Sequence, residues 1–392
     1  MQRKMSKNNL NTINFDTIIE RRSTHSDKWN KYPKHVIPLW IADMDFEAPQ
    51  CITQALKDRL SHGIYGYTSV APELSKAIEQ HLLKHYQWAI QSQDLIYLPG
   101  LVCALHASVR IFSQANDGIV VPGPVYHHLS KAAEFADREL ITTHMELVND
   151  RWVPDFVELE RACSRSNSKM LLLCNPHNPG GTVYTKSELL QIHEIAQRYE
   201  LIVVSDEIHC DLILDDVPHI PFASLNEDAK NRSITLMAPS KTYNIAGLGF
   251  AFCVIQNPTL RLQFKRGSAG LIPSPNLLGF TAALSAYTDG ESWRRELLDY
   301  LRNNRQLIRE KLAHTPLKLH SLEATYLEWI DVSALNLPNP HAFFLNAGVG
   351  FSDGKDFGNS QFLRLNFGCS KELLTEALDR ILSAIQDLES NA

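Results

Sequence analysis

The amino-acid sequence predicts an α/β protein in which helices cover both faces of a mostly parallel sheet. From about Leu95 onward, short apolar runs alternate with amphipathic segments, an order typical of parallel sheets. The runs are continuously apolar rather than alternating, which indicates strands buried on both faces. The chain has 392 residues, more than one hydrophobic core usually supports, so we expect one large and one smaller domain.

The predicted strands and helices follow one another in a regular order. The runs typical of buried strands are GIVVPG (118–123), MLLLCNP (170–176), LIVVSDEI (201–208), ITLMAPS (234–240) and FAFCVI (250–255). The amphipathic helix candidates between them are ALHASVRIFSQA (104–115), SELLQIHEIAQRYE (187–200) and the connector DLILDD (211–216). The first forty residues look irregular, and Pro38 interrupts the apolar stretch that ends them.

The pattern changes after about Pro275. A long helical stretch, SWRRELLDYLRNNRQLIREKLAHT, leads into a mixed segment that ends in RLNFGCSKELLTEALDRILSAIQDL. This indicates a small C-terminal α/β domain joined by a helix. We therefore expect an N-terminal segment that joins the small domain (1–50), a large domain that carries the binding site (51–285) and a small C-terminal domain (286–392).

Composition excludes several classes of partner. The net charge is −6 and the isoelectric point is near 6.2, so the chain has no basic footprint for nucleic acid. The N-terminus lacks the apolar region of a secretory signal, and no run of about 18 apolar residues indicates a membrane span. Seven cysteines are scattered without a CxxC pair, which fits free thiols in a reducing cytoplasm and predicts no zinc site.

Three predicted strands are followed by polar side chains: Asn178, Asp206 and Lys241. Ligands of α/β sheets gather at the C-terminal ends of the strands, so we expect these three groups to meet. Taken singly, Lys241 is also compatible with a solvated loop lysine, and Asp206 with a turn cap. Together, an amide, a carboxylate and an amine match the needs of pyridoxal 5′-phosphate: a donor to the ring oxygen, a partner for the ring nitrogen and a partner for the aldehyde.

The order of motifs NPHNPGG, SDEIHCDL, SKTYNIAGL and RLNFG resembles the fold-type I pyridoxal-phosphate enzymes of the class I/II aminotransferase family. The additional segments WIADMDF (40–46) and YGYT (65–68) resemble one branch, the cystathionine β-lyases or C–S lyases of the MalY/PatB type. The resemblance covers nearly the whole chain. It implies a large domain with a mostly parallel seven-stranded sheet, a small C-terminal α/β domain, and a homodimer with shared active sites.

The resemblance assigns the cofactor's ring to five residues. Lys241 matches the lysine that bonds to the aldehyde and later moves protons, and Asp206 matches the carboxylate that keeps the ring nitrogen protonated. Asn178 matches the donor to the phenolic oxygen. His209 stands where the family places a second polar neighbour of that oxygen, although alone it is equally compatible with a structural histidine. Tyr126 matches the aromatic ring that stacks on the cofactor.

The resemblance assigns the phosphate to the turn Gly100, Leu101 and Val102, to the hydroxyl of Ser240, and to Tyr65 from the neighbouring subunit. The turn opens a predicted helix, and helix N-termini favour anions. One position departs from many aminotransferases, which have a phosphate-binding arginine eight residues after the lysine.

At the position of that arginine, eight residues after Lys241, this sequence has Gly249. The C–S lyase branch often lacks the arginine too, so its absence favours that branch.

Substrate binding is assigned to Arg364, Asp43 and Tyr65. Arg364 matches the arginine that holds the substrate α-carboxylate, a task suited to the two parallel hydrogen bonds of a guanidinium. The resemblance implies a lyase that cleaves S-substituted cysteines to a thiol, pyruvate and ammonia. Two alternatives stay open: an aminotransferase on the same scaffold, which shares every cofactor residue, and a partner-binding regulatory role in addition to catalysis.

Overall fold

The protein is described by a computed structural model over residues 13–390. The expectation that the N-terminus is not a secretory signal concerns residues 1–12, which lie outside the described part. The strands are β1 (Ile37–Pro38), β2 (Leu95–Leu98), β3 (Gly118–Gly123), β4 (Glu139–Val148), β5 (Arg151–Pro154), β6 (Ser168–Cys174), β7 (Ile202–Asp206), β8 (Ser233–Met237), β9 (Ala251–Val254), β10 (Lys318–Leu319), β11 (Leu327–Asp331), β12 (Val349–Gly350), β13 (Ser352–Asp353) and β14 (Phe362–Asn366).

The helices are α1 (Asp27–Asn30), α2 (Gln50–Ser61), α3 (Pro72–Tyr86), α4 (Leu101–Phe112), α5 (His127–Glu134), α6 (Phe156–Cys163), α7 (Lys186–Arg198), α8 (Glu227–Arg232), α9 (Pro258–Ser268), α10 (Leu277–Asp289), α11 (Glu291–Leu312), α12 (Pro340–Asn346) and α13 (Lys371–Ser390). The predicted helices at 104–115 and 187–200 correspond to α4 and α7, and the long stretch after Pro275 contains α11. None of the helices in the described part is long and apolar enough to cross a membrane.

The main sheet has the strand order β2-β9-β8-β7-β6-β3-β4-β5. Strands β8, β7, β6, β3 and β4 are parallel neighbours, whereas β9 and β5 run antiparallel to the strands beside them. The five apolar runs that predicted strands all lie in this sheet as β3, β6, β7, β8 and β9. The mostly parallel α/β class is confirmed.

Successive side chains of the central strands pack against helices on opposite faces of the sheet. Val121 of β3 and Leu172 of β6 join one apolar cluster, which includes α4, α5 and α9. Their neighbours Val120 and Leu171 join a second cluster with α6, α7 and α8. Because both faces are covered, the strands read as continuous apolar runs.

The sheet has eight strands rather than seven. Strand β4 is ten residues long and folds back as a hairpin into the short edge strand β5. Both residues of the connecting turn, Asn149 and Asp150, have positive φ values of 52° and 65°. Short polar residues tolerate this left-handed conformation, and a two-residue turn of this kind suits the twist of a hairpin.

A second sheet, of order β10-β11-β14-β13, packs with α11, α12 and α13 in the C-terminal part of the chain. Strand β1 of the N-terminal segment pairs in parallel with β12, so Ile37 lies opposite Val349. The expected boundaries near residues 50 and 285 stay predictions.

The connector DLILDD is not a helix. Leu212 and Leu214 are both buried, a spacing of two that fits extended chain, and Ile213 between them forms an isolated antiparallel bridge with Ala324. The apolar pattern of a six-residue segment is too short to distinguish a helical connector from an extended one.

Candidate active site

The side chains that follow β6, β7 and β8 converge because these strands are parallel neighbours. Cys174 at the end of β6 lies in register with Asp206 at the end of β7. Asn178 follows β6 by four residues and Lys241 follows β8 by four, so both turns open at the same edge of the sheet. All three predicted residues line one cavity of about 700 Å³.

Lys241 projects into the cavity from the turn after β8. Its Nζ donates to the main-chain oxygen of Ala42 at 2.7 Å. Burial lowers the pKa of Lys241 to about 8; the Asp43 carboxylate opposes this shift, and the Arg364 guanidinium adds to it. A lysine with this pKa is still mostly protonated at neutrality but has far more free amine than a solvated lysine, and the free amine is the form that attacks an aldehyde.

Asp206 is the last residue of β7 and is buried at the floor of the cavity. Burial raises the pKa of its carboxyl to about 7, an effect that the hydrogen bond from the Ile208 amide at 3.2 Å partly offsets. An ionised carboxylate at this depth is costly without a cation beside it. The site therefore favours a ligand that brings a positive charge to Asp206.

Two further ring-binding candidates lie against the same space. His209 is buried, and its Nδ1 has no hydrogen-bond partner among the described residues. Burial lowers the pKa of His209 to about 3, so the imidazole is neutral at physiological pH. Tyr126 immediately precedes α5, lines the cavity, and donates its main-chain N–H to the carbonyl of Asn178 at 2.9 Å.

Arg364 enters the cavity from β14 of the smaller sheet. One guanidinium nitrogen donates to Asn178 Oδ1 at 2.8 Å, and the other donates to Trp40 O at 3.0 Å and to Ser352 Oγ at 3.1 Å. The Cζ atom of Arg364 lies over the Phe357 ring, 4.7 Å from its centroid. Its Nε has no partner among the described residues, so the group retains capacity to bind an anion.

The opposite wall contains the residues predicted to hold phosphate, Gly100, Leu101, Val102 and Ser240, and all four line the cavity. Gly100 caps the twelve-residue helix α4, whose first N–H groups are free for an anion. A Cβ at Gly100 would meet nothing within 4 Å, so the space in front of this turn is open.

Gly249, the position of the absent arginine, lies behind this turn. It has a φ of 63°, and a Cβ there would lie 3.2 Å from the carbonyl oxygen of Pro99. A side chain at this position is strained in this backbone. The local backbone thus suits glycine at this position.

The segment WIADMDF is held over Lys241 by two amide side chains that the sequence did not single out. Asn244 donates to the carbonyls of Met44 and Phe46 at 2.9 and 2.7 Å and accepts from the Met44 amide. Asn366 donates to the carbonyls of Ile41 and Asp43. Asn244 lies in the motif SKTYNIAGL and Asn366 in RLNFG, so their position in these motifs is the sequence feature that could have identified them.

Asp43, predicted to bind substrate, is not among the residues that line the cavity. Its carboxylate pairs with Arg21 at 2.7 Å, and the nearby Asp45 pairs with Arg21 and with the buried Lys28. These contacts anchor the segment to the N-terminal part of the chain. Asp43 therefore acts on Lys241 through its charge, which raises the lysine's pKa, and does not line the space where a substrate would bind.

Tyr65 also lies outside the cavity within one chain. Its side chain is exposed, and its hydroxyl donates to the carbonyl of Leu60 at 3.0 Å. The role predicted for Tyr65 requires a neighbouring subunit and stays a prediction.

Polar strand ends gathered around one enclosed cavity are the architecture of an enzyme that acts on a small molecule. The chain belongs to the family of class I and II aminotransferases, whose model matches residues 34–381. The resemblance predicted from the motifs is therefore confirmed.

Known proteins of this kind are similar over nearly the whole chain. Cystathionine beta-lyase PatB of Bacillus subtilis is 35% identical over 391 residues, which cover 95% of this chain and 100% of PatB. The crystal structure of OvoB is 45% identical with a TM-score of 0.93, covering 95% of this chain and 99% of OvoB. Cystalysin from Treponema denticola, whose structure contains pyridoxal 5′-phosphate, is 32% identical with a TM-score of 0.93, covering 96% and 99%.

Proposed function

We propose that the protein is a pyridoxal 5′-phosphate-dependent C–S β-lyase that cleaves S-substituted L-cysteines. The observation that carries this proposal is the meeting of Lys241, Asp206 and Arg364 in one cavity, in a chain similar over nearly its whole length to a cystathionine β-lyase. An amine, an acid and a carboxylate-binding guanidinium are the three groups that this reaction needs from the protein.

The cavity fits the cofactor by its unsatisfied groups. Within the described residues, the buried carboxyl of Asp206 makes no direct ion pair, which a protonated ring nitrogen would supply, and the buried Nδ1 of His209 has no hydrogen-bond partner. The amide nitrogen of Asn178 is available to donate to a ring oxygen, because its side-chain oxygen is already engaged by Arg364. The open space at Gly100 and the N-terminus of α4 suit the phosphate.

The cofactor, when bound, supplies an electron sink that stabilises the negative charge left on the substrate Cα after deprotonation. Arg364 binds the α-carboxylate and fixes the orientation of the substrate. Lys241, whose pKa burial lowers to about 8, takes the α-proton. Asp206 would hold the proton of the ring nitrogen, and Tyr126, which lines the same cavity, would help to hold the ring.

The products follow from the leaving group at Cβ. Once the α-proton is removed, a thiolate at Cβ departs with the electrons of the C–S bond. Water completes the hydrolysis of the remaining three-carbon fragment to pyruvate and ammonia. Binding of substrates that carry a good leaving group at Cβ thus favours elimination over transamination.

The test separates this proposal from the aminotransferase alternative, which uses the same residues. Cofactor-loaded protein is incubated with L-cystathionine, and pyruvate and free thiol are measured with and without an added 2-oxo acid. We expect both products without the 2-oxo acid, and neither from Lys241→Ala. The 2-oxo analogue of cystathionine and an equal amount of a new amino acid, formed only with the added 2-oxo acid and without pyruvate or thiol, would replace the lyase by an aminotransferase.

We also propose that the enzyme is a cytoplasmic homodimer with shared active sites. Leu60, Ile64, Tyr65 and Tyr67 form an exposed apolar stretch, which a second copy of the chain would cover. The phosphate end of the cavity has no arginine at position 249, so a contribution from Tyr65 of the other subunit would complete it. Free cysteines fit a reducing compartment.

A further inference from the structure

Within the described residues, the cavity wall beyond Arg364 carries a cation, Lys31, that makes no direct ion pair. Lys31 lines the cavity, and its Nζ lies 3.8 Å from the ring centroid of Trp40 and 5.1 Å from that of Tyr32. Among residues 13–390, no carboxylate oxygen comes within 4.0 Å of this nitrogen. The two rings hold the ammonium at the cavity and leave its hydrogen-bond donors unused.

An anion, Asp356, lies on the same wall and has no ion-pair partner in the described part of the chain. Asp353 is engaged, because it pairs with Lys355 at 2.9 Å and accepts from the Lys355 amide. Asp356 also lines the cavity, is exposed, and makes no ion pair or side-chain hydrogen bond with the described residues. Burial lowers the pKa of Lys31, and the field of Asp356, followed by that of Asp353, opposes the shift. Both charged side chains line the same cavity.

This charged pair adjoins the group that binds the α-carboxylate. Trp40 connects them: its ring supports Lys31, and its carbonyl accepts from Arg364 and from Ser352. The cavity that contains Arg364 thus also has, among its described lining residues, aromatic surface and two charges without an ion-pair partner, Lys31 and Asp356.

We propose that Lys31 and Asp356 form a second subsite, which binds an α-amino-carboxylate at the distal end of the S-substituent. Lys31 takes the distal carboxylate, and Asp356 takes the distal ammonium. This proposal rests on the proposed lyase function and narrows its substrates to thioethers with an amino acid at each end, such as L-cystathionine, in preference to simple S-alkyl cysteines.

The test uses three substrates that differ at the distal end. L-Cystathionine has both distal charges, S-(3-carboxypropyl)-L-cysteine has the carboxylate alone, and S-propyl-L-cysteine has neither. Pyruvate release is measured for the wild type, Lys31→Met and Asp356→Asn. Lys34→Met is the matched control, because Lys34 is an exposed lysine outside the cavity.

Lys31→Met should lower kcat/KM about fivefold for cystathionine and for the carboxypropyl compound, the size expected of one partly exposed ion pair, through KM rather than kcat. Asp356→Asn should lower it for cystathionine alone. S-Propyl-L-cysteine should be unaffected in every variant, and Lys34→Met should match the wild type.

Equal losses on all three substrates, or no loss on cystathionine, would overturn the subsite while the lyase function stands. If the wild-type enzyme releases pyruvate from none of the three, the lyase proposal fails, and the subsite fails with it.

Discussion

Arg364 donates to the side-chain oxygen of Asn178 at 2.8 Å, which joins strand β14 of the smaller sheet to the turn after β6 of the main sheet. One residue is assigned to the substrate carboxylate and the other to the ring of the cofactor. The hydrogen bond orients the Asn178 amide so that its nitrogen is directed away from Arg364. Substrate binding and cofactor binding therefore share a contact between residues 186 positions apart.

The first prediction concerns the geometry of Arg364. Arg364→Lys should lower kcat/KM about 10- to 100-fold on every amino-acid substrate, because a point charge cannot reproduce hydrogen bonds worth about 1.5–3 kcal/mol each to charged groups. Steady-state kinetics measure the loss. Arg380→Lys, whose guanidinium contacts the carbonyls of His35 and Gly348 outside the cavity, is the matched control.

Since Arg364 is buried, thermal melting of both variants checks that the fold is retained. A folded Arg364→Lys enzyme with normal kcat/KM would remove this residue from substrate binding.

The second prediction concerns Asp206. Asp206→Asn should retain the cofactor but lose orders of magnitude in turnover, because a neutral amide does not hold the proton on the ring nitrogen. Absorbance of the bound cofactor and pyruvate release are measured on the same sample. Near-normal turnover with bound cofactor would show that Asp206 does not have this role.

The third prediction concerns the pH dependence of Lys241 in the cofactor-free protein. The pKa of about 8 leaves the amine mostly protonated below that pH and mostly free, hence reactive, above it. Covalent attachment of added pyridoxal 5′-phosphate, followed by absorbance, should therefore accelerate as pH rises through about 8.

Asp43→Asn should move this midpoint to lower pH, because the Asp43 carboxylate raises the pKa of Lys241. Because the same cofactor is used with every variant, its own titration affects all the midpoints equally and does not change the difference between them. Asp58→Asn, an exposed carboxylate on α2, is the control and should leave the midpoint in place. A midpoint that stays unchanged in Asp43→Asn would contradict the electrostatic role given to Asp43.

The fourth prediction concerns the shared active site. Tyr65→Ala and Lys241→Ala should each be inactive, but a mixture allowed to exchange subunits should recover about a quarter of wild-type activity, since half the dimers are mixed and each has one intact site. Sedimentation checks that the protein is a dimer. No recovery from a mixture shown to contain mixed dimers would place Tyr65 in its own subunit's site or in none.

Local sequence patterns determined the α/β class and the positions of the groups at the strand ends. Continuous apolar runs identified β3, β6, β7, β8 and β9, and the turns after them placed Asn178, Asp206 and Lys241 at one edge. These features are predictable because strand burial and turn chemistry depend on neighbouring residues. The extra strand β5 left a weaker signal, the Asn149–Asp150 turn, because a four-residue edge strand has little pattern of its own.

The resemblance to a known family assigned the cofactor and the reaction, and the match over residues 34–381 confirms that family. Only the tertiary structure decided which charges are engaged and which are free. Asp43 was predicted to bind substrate and Lys31 was not singled out, yet Asp43 pairs with Arg21, whereas Lys31 lines the cavity without an ion pair to any described residue. Ion pairing depends on which distant segments of the chain pack together, and local sequence patterns do not show which distant residues come into contact.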